Sequence, residues 1–367
     1  MVTHGDNPLA IHHSQRQPSQ PMTLPKSRLL KAARVRLLKP AFWLVSIAAF
    51  LCRALLAAWA SFAVYYSNLP WLPIRALLAL VVFALSLHLL WLSRSKHRFL
   101  LFSALFFTIL VWWASILPSH DRPWRPDVAV MPRATLDGDL IHLTGFRHFD
   151  YRSTNDFTIR YEDRTYALSD LQSMDFFVSY WKLGPVGHTF VSFNFDNAPP
   201  LCISIETRPE VGEGFAPIAS LFKQFELIYV IGDERDIVKV RTNHRQESVF
   251  LYRISSTPEK IRLLLLTYLE KINALADQPE FYHLLSNNCT INIAAHAKAI
   301  GRTDRFDIRY LLNGLIDQYL YGVGAIDTTL PFPDLRERSS INAAALAAAD
   351  DPHFSERIRA NLPTTPP

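Results

Sequence analysis

Long apolar stretches in the first third of the chain are the clearest pattern in the sequence. Three mostly apolar runs occupy positions 41–65, 72–92 and 99–117 of the 367 residues. Each approaches the roughly 20 residues that a helix needs to cross the hydrocarbon core of a bilayer. Few polar residues interrupt the runs, which disfavours a buried soluble helix bundle. We therefore predict three transmembrane helices.

Basic side chains lie on one side of these predicted helices. The segments before the first run and at 93–98 are rich in Lys and Arg, whereas the loop at 66–71 has neither. Because cytoplasmic loops carry the excess of positive charge, the N-terminus and the loop at 93–98 are predicted to be cytoplasmic. The chain after position 117 is then predicted to lie outside the cytoplasm. This topology also explains the net charge of +5, and we expect no nucleic-acid partner.

A cleavable signal peptide is the competing interpretation of the first run, with Ala58-Trp59-Ala60 as a cleavage site. The preceding 40 residues and the length of the apolar run both argue against it. We predict a disordered, basic cytoplasmic tail at 1–40, a membrane region at 41–117 and a Pro-rich linker at 118–135. A catalytic domain follows at 136–330, and 331–367 is a C-terminal extension.

Beyond the linker the sequence has short alternating stretches that predict β-strands. These lie at 139–144, 176–181, 188–195, 201–206, 227–231, 237–240 and 249–252. Gly- and Pro-containing turns separate the second, third and fourth, as in an antiparallel meander. Apolar residues at helical spacing predict helices at 257–276 and 290–300. Because the helices mostly follow the strands, the predicted class is α+β.

The most reactive candidate in this domain is Cys289, which stands where the last predicted helix begins. Asn288 before it is a favourable N-cap residue. A helix N-terminus carries free N–H groups and partial positive charge, which lower the pKa of a thiol and favour the nucleophilic thiolate. The alternative is a packing cysteine, which is common at such positions.

A candidate base accompanies this thiol. His188 follows the turn at 182–187 and opens a strand. A Cys–His enzyme needs an imidazole beside the thiol, and a third polar group to orient it. Alternation at 201–206 places Ser204 and Glu206 on the face that can meet His188, and we choose Glu206. The alternatives are an ordinary half-exposed strand histidine and, for Glu206, a salt-bridge partner or a member of an internal charge network.

The remaining cysteines restrict the chemistry further. Cys52 lies in the first apolar run, which leaves Cys202 and Cys289 outside the membrane, where a disulfide between them is an alternative. Such a bond would remove the proposed nucleophile. No paired Cys/His spacing predicts a metal site, and we expect no cofactor.

Several motifs in one order resemble the Lnb periplasmic-domain family. They are GHTFVSF at 187–193, ISIETR at 203–208, YVIGDERD at 229–236, and PEFY leading to NNCT at 279–290. The resemblance extends over about 137–320. It implies a permuted papain-like fold, related to NlpC-type peptidases, with Cys289 as nucleophile and His188 as base. Glu206 and Asn288, the latter as part of the oxyanion region, are our additional candidates.

The resemblance also implies a function, since Lnb proteins are bacterial lipoprotein N-acyltransferases. We expect a bacterial inner-membrane protein whose catalytic domain faces the periplasm. It would transfer an acyl chain from a phospholipid, through a thioester, to the N-terminal amine of a lipoprotein. A cell-wall peptidase or amidase and a non-catalytic membrane scaffold are the alternatives.

Overall fold

The computed structural model describes residues 1–3, 26–69, 71–302 and 305–363, and between 26 and 41 it describes the backbone only. Most of the predicted tail, positions 4–25, lies outside the described residues. A helix begins at Lys26, so positions 26–40 of that segment are helical. Contacts divide the chain into two compact units, which meet between Ala58 and Trp59 within the first helix.

The described residues contain three helices that are long and apolar enough to cross a membrane. Helix α1 covers Lys26–Tyr65, α2 covers Leu72–Leu87 and continues as one π-helical turn, and α3 covers Arg98–Ser115. Their apolar parts coincide with the predicted runs to within two residues at either end. The prediction of three N-terminal membrane helices before an α+β domain is confirmed.

The domain that follows is built on strands and short helices. The strands are β1 Arg133–Asp137, β2 Leu140–Arg147, β3 Asp150–Tyr151, β4 Phe157–Thr158, β5 Tyr161–Ala167, β6 Leu171–Tyr180, β7 His188–Phe195, β8 Leu201–Arg208, β9 Glu226–Gly232 and β10 Ser248–Arg253. The helices are α4 Glu234–Lys239, α5 Pro258–Asp277, α6 Cys289–Ala299, α7 Ile316–Gly322, α8 Phe332–Arg338, α9 Asn342–Ala347 and α10 Phe354–Arg357.

Eight strands form one sheet in the order β1-β2-β9-β8-β7-β6-β10, with β5 also paired to β2. All neighbours are antiparallel except β2 and β9, which meet in parallel through Arg147 and Gly232. The meander predicted from the Gly/Pro turns is β6-β7-β8. Strands β3 and β4 form a separate small pair.

Side chains of the central strands point alternately to the two faces of the sheet, and each face contributes to its own hydrophobic core. Val191 and Ile203 belong to the core that contains α5 and α6. Phe190 and Cys202, their neighbours along the strands, belong to the core on the other face, with α4 and the C-terminal helices. Cys289 therefore approaches the sheet from the first face.

Three features of the domain differ from the sequence prediction. Residues 237–240 are not a strand, because α4 begins after extended Asp233 and ends at Lys239, and a π-helical turn begins at Val240. A short run of Ile and Val has no periodicity that distinguishes a strand from a buried helix. In addition, the segment predicted as a C-terminal extension buries Ile341 and Phe354 in the second core. Strand β1 begins inside the predicted linker.

Candidate active site

The first residue of helix α6 is the candidate nucleophile. Asn288 has extended backbone geometry, and its side-chain oxygen accepts a hydrogen bond from the N–H of Ile291 at 2.8 Å. Its amide nitrogen donates to the carbonyl of Leu284 at 2.8 Å. Asn288 is thus an N-cap that fixes the start of the helix, which puts the Cys289 thiol in the field of the free N–H groups. No contact in the structure assigns the Asn288 side chain to an oxyanion site.

The candidate base begins strand β7 and is fixed by the turn before it. The N–H of Gly187 donates to the side-chain oxygen of Asn313 at 2.8 Å. The N–H of Gly314 donates back to the carbonyl of Pro185 at 3.0 Å. A Cβ on Gly314 would lie 2.3 Å from the carbonyl oxygen of Gly184. The backbone approach is therefore too close for any other residue, and it sets where His188 enters the sheet.

The imidazole of His188 has Ser204, not Glu206, as its hydrogen-bond partner. Its Nε2 lies 2.8 Å from the Ser204 hydroxyl. The ring also stacks on Phe190, with the centroids 5.8 Å apart. With Nε2 engaged, Nδ1 is the nitrogen available to the thiol. The expectation that Glu206 orients the histidine by contact is corrected, because the shorter side chain one step nearer on the same face takes that place.

Glu206 instead pairs with a buried guanidinium. Its carboxylate lies 2.7 Å from Nη2 of Arg241, and the same nitrogen is 3.4 Å from the Ser204 hydroxyl. Burial alone would raise the pKa of Glu206, but the charge of Arg241 and, next, that of His188 hold it well below its usual range. Glu206 therefore acts on His188 through charge, and through the Arg241–Ser204 contact, rather than directly.

The thiol of Cys289 is the more acidic of the two cysteines in this domain. Burial would raise its pKa, but the hydrogen bond and the positive charge of His188 outweigh burial and lower the pKa to about 6. The other thiol, Cys202, lies among apolar side chains, and burial raises its pKa well above the usual range. Both cysteines are free, so the structure contains no disulfide between them. The pKa of Cys289 is lower than that of Cys202 because the side chains of His188 and Thr189 form hydrogen bonds with the Cys289 thiol.

Two further side chains lie against the thiol and were not predicted from the sequence. The amide nitrogen of Asn313 donates to Sγ of Cys289 at 3.5 Å. The hydroxyl of Tyr282 interacts with the backbone N–H of Cys289, and burial, first of all, raises its pKa well above the usual value. Asn313 precedes Gly314 in an Asn-Gly pair, a turn signal that could have marked this loop. Nothing in the sequence places that turn beside Cys289, 24 positions earlier.

One cluster outside this site has the composition of a metal centre. Ligand atoms of His148, Glu162 and Asp233 lie within 4.8 Å of one another. The guanidinium of Arg164 lies 2.5 Å from Glu162 and 2.7 Å from Asp233, and His148 contacts Asp233 directly. A cation already neutralises both carboxylates, so these residues do not fit a metal ion.

A short segment of the domain contacts the ends of the membrane helices. The Nζ of Lys223 donates to the carbonyls of Ala114 and Ile116, at 2.9 and 2.8 Å, at the C-terminal end of α3. Phe222 stacks on Tyr66, with the centroids 5.7 Å apart, just beyond the end of α1. We call residues 219–223 the docking segment.

The docking segment also contacts the loop that leads to the nucleophile. The carbonyl of Ser220 accepts a hydrogen bond from the N–H of Leu284 at 2.8 Å. The ammonium group of Lys223 lies 5.5 Å from the centre of the Phe281 ring. The candidate site is therefore held near the outer ends of the membrane helices by direct contacts.

Comparison with known proteins identifies a family for part of the chain. Residues 157–314 match the family described as the Lnb N-terminal periplasmic domain. The match confirms the resemblance for this segment, which contains Cys289, His188, Ser204 and Asn313. No curated protein and no solved structure matches the chain. With its three apolar helices, the chain is a membrane protein with a periplasmic domain.

Proposed function

We propose that this protein is a membrane-anchored cysteine acyltransferase of the bacterial inner membrane. It transfers an acyl chain from a phospholipid, through a thioester on Cys289, to the N-terminal amine of a lipoprotein. The observation that carries the proposal is a thiol whose pKa His188 lowers to about 6, at a helix start. A thiolate at neutral pH is the form that attacks an ester carbonyl.

In the first half-reaction the thiolate of Cys289 attacks the carbonyl carbon of the phospholipid ester, while His188 holds the proton. The C–O bond breaks, His188 delivers its proton to the departing alkoxide, and a lysophospholipid leaves. In the second half-reaction the lipoprotein amine attacks the thioester carbonyl. His188 accepts a proton from the amine, and the C–S bond breaks to restore the thiolate and release the amide.

The negative oxygen formed in each half-reaction requires hydrogen-bond donors. The backbone N–H of Cys289 and the Nδ2 of Asn313, which lies 3.5 Å from the sulfur, are the donors nearest to that position. In the resting site this N–H donates to the hydroxyl oxygen of Tyr282, so it exchanges that partner for the oxyanion during the reaction. Cys289 and Asn313 are both buried, which fixes the positions of the two donors before the reaction starts.

Two features of the surroundings support acyl transfer over hydrolysis. Cys289 is only 2% exposed, which keeps water away from a thioester. The docking segment at 219–223 joins the loop before Cys289 to the ends of α1 and α3, where the phospholipid donor is available. Basic residues are concentrated in the N-terminal part of α1 and around the start of α3, which supports a periplasmic position for the domain.

The test compares Cys289→Ala with Cys202→Ala in cells that depend on this protein for lipoprotein N-acylation. Cys202 is a matched control, because it is a buried thiol of the same domain whose pKa is raised rather than lowered. We expect Cys289→Ala to reduce N-acylation by up to about a million-fold, as nucleophile removal does elsewhere, with the thermal unfolding temperature unchanged. Cys202→Ala should retain activity.

Mass spectrometry of lipoprotein N-termini is the measurement. N-acylation that persists with Cys289→Ala contradicts the mechanism. If the variant leaves lipoproteins unchanged but stops the cleavage of cell-wall peptides, the same Cys–His pair serves a peptidase.

A further inference from the structure

An apolar cavity of about 810 Å³ lies along helix α6, beside the nucleophile. One wall is the helix face formed by Thr290, Ala294 and Ala297, which lie three and four positions apart. The opposite wall includes Leu264 of α5 and Leu320 of α7. The volume is within the range of sites that bind small organic ligands, and most of the lining side chains are apolar.

The cavity approaches the reactive sulfur through one lining residue, although Cys289 itself does not line it. Thr290, which lines it, has its hydroxyl 3.8 Å from Sγ of Cys289. Its Oγ1 is also 2.9 Å from Oγ1 of Thr189, the residue after His188. A carbonyl carbon bonded to the sulfur can therefore direct its substituent along the face of α6 without crossing the sheet. From Thr290 to Ala297 the helix rises by about 10 Å.

The rim of the cavity is apolar and open, unlike a packing defect in a core. Leu285 is 54%, Phe306 67% and Val323 44% exposed, although all three line it. Lys260 and Lys298 lie at the same cavity and are exposed. Exposed apolar residues at a cavity mark a binding site for an apolar ligand.

The mouth is also connected to the membrane helices. Leu285 follows Leu284, whose N–H is bound to Ser220 of the docking segment. From these contacts we propose that the cavity along α6 is the acyl-chain site. It would hold the hydrocarbon chain of the phospholipid donor while Cys289 carries the acyl group. This inference rests on the proposed function of Cys289.

The experiment measures how fast Cys289 reacts with alkyl chloromethyl ketones whose alkyl group is methyl, hexyl or pentadecyl. The thiolate displaces chloride and forms an S–CH₂ bond, so neither an amine nor turnover is needed. The full chain in detergent is used with Cys52 and Cys202 replaced by Ala, and intact mass gives the extent of labelling. Iodoacetamide, which has no chain, reports the reactivity of the thiol itself.

Two variants shorten the free length of the cavity, and a third is the control. Ala294→Phe fills it near Cys289, Ala297→Phe fills it farther along α6, and Ala299→Phe is the matched control because Ala299 is exposed and does not line it. Partition of the reagents into micelles is the same for all of them. We expect Ala294→Phe to reduce the pentadecyl-to-methyl rate ratio by about tenfold or more, a typical effect of lost methylene contacts. Ala297→Phe should lower it less, and Ala299→Phe should not change it.

If the pentadecyl-to-methyl rate ratio is the same in Ala294→Phe and Ala299→Phe while the iodoacetamide rates are unchanged, the acyl-chain site is contradicted. The proposed role of Cys289 as nucleophile is not affected by that result. A wild-type protein that reacts with none of the reagents, iodoacetamide included, would contradict the proposed function itself. If Ala294→Phe lowers the thermal unfolding temperature, Ala294→Leu provides the same comparison with a smaller side chain. A reduced ratio in either variant supports the chain site.

Discussion

Removal of the His188 imidazole should change the pH at which the Cys289 thiol becomes reactive. In the folded protein its pKa is lowered from 9.0 to about 6, against an opposing effect of burial. The hydrogen bond and the charge of His188 are the largest favourable causes. In His188→Ala burial remains while both favourable effects are lost, so the midpoint of the thiol titration should rise to 9.0 or above.

The rate at a single pH is a poor measure of this change. At pH 7 a thiol of pKa about 6 is about nine-tenths ionised, whereas one of pKa about 9 is about one-hundredth ionised, a ratio of about ninety. However, a thiolate of lower pKa is a weaker nucleophile, which for three pKa units means about twentyfold. The net difference in rate at neutral pH is then only about fourfold. The midpoint of the profile moves by about three units and is the decisive quantity.

The assay follows iodoacetamide alkylation by intact mass between about pH 4.5 and 10, with Cys52 and Cys202 replaced by Ala so that one thiol reacts. We expect a midpoint near 6 for the parent protein, because the reactive thiolate accumulates as pH rises through the pKa. Ser204→Ala is the control that keeps the imidazole but removes its Nε2 partner. A parent midpoint near 9, or an unchanged midpoint in His188→Ala, would refute the ion-pair reasoning.

Two stability predictions follow from the same contacts. Glu206→Gln leaves the buried Arg241 without its closest carboxylate and should lower the free energy of unfolding by about 1–3 kcal/mol at neutral pH, as measured by denaturant titration. Because folding lowers the pKa of Glu206, this difference is present above pH 4.5 and should shrink as the pH falls below it, and a constant difference contradicts it. Gly314→Ala should cost about 1–3 kcal/mol, since its Cβ would overlap the carbonyl of Gly184. Gly322→Ala, with nothing within 4 Å of the added Cβ, is the control, and equal unfolding temperatures would contradict the close approach.

The membrane helices and most of the central sheet could be predicted because their signals are local. Apolar length alone predicts a span, and a period of two with Gly/Pro turns predicts the β6-β7-β8 meander. Helix α6 was predictable because Asn288 is a good N-cap residue and Gly301 follows its end. The same local reasoning failed at 237–240, where Ile and Val are compatible with either structure and only the packing of α4 on the sheet decides.

The residues around the thiol show a different limit. Alternation correctly restricted the partner of His188 to the face that carries Ser204 and Glu206. It could not choose between them, because the choice depends on Arg241, which lies in the π-helical turn 240–244 beyond the predicted strand 237–240. The guanidinium pairs with the longer acidic side chain, and this leaves the hydroxyl for the imidazole.

Asn313 shows how a remote loop can complete a site made from two local motifs. Its side-chain oxygen binds the N–H of Gly187, directly before the base, and its nitrogen binds the sulfur of Cys289. One planar amide therefore fixes the distance between the strand that carries the imidazole and the helix that carries the thiol. The close approach of Gly314 to the turn before His188 keeps that amide in place. Because a thiolate–imidazolium pair weakens steeply with separation in a site with little water, the acidity of Cys289 depends on a loop that contributes no titratable group.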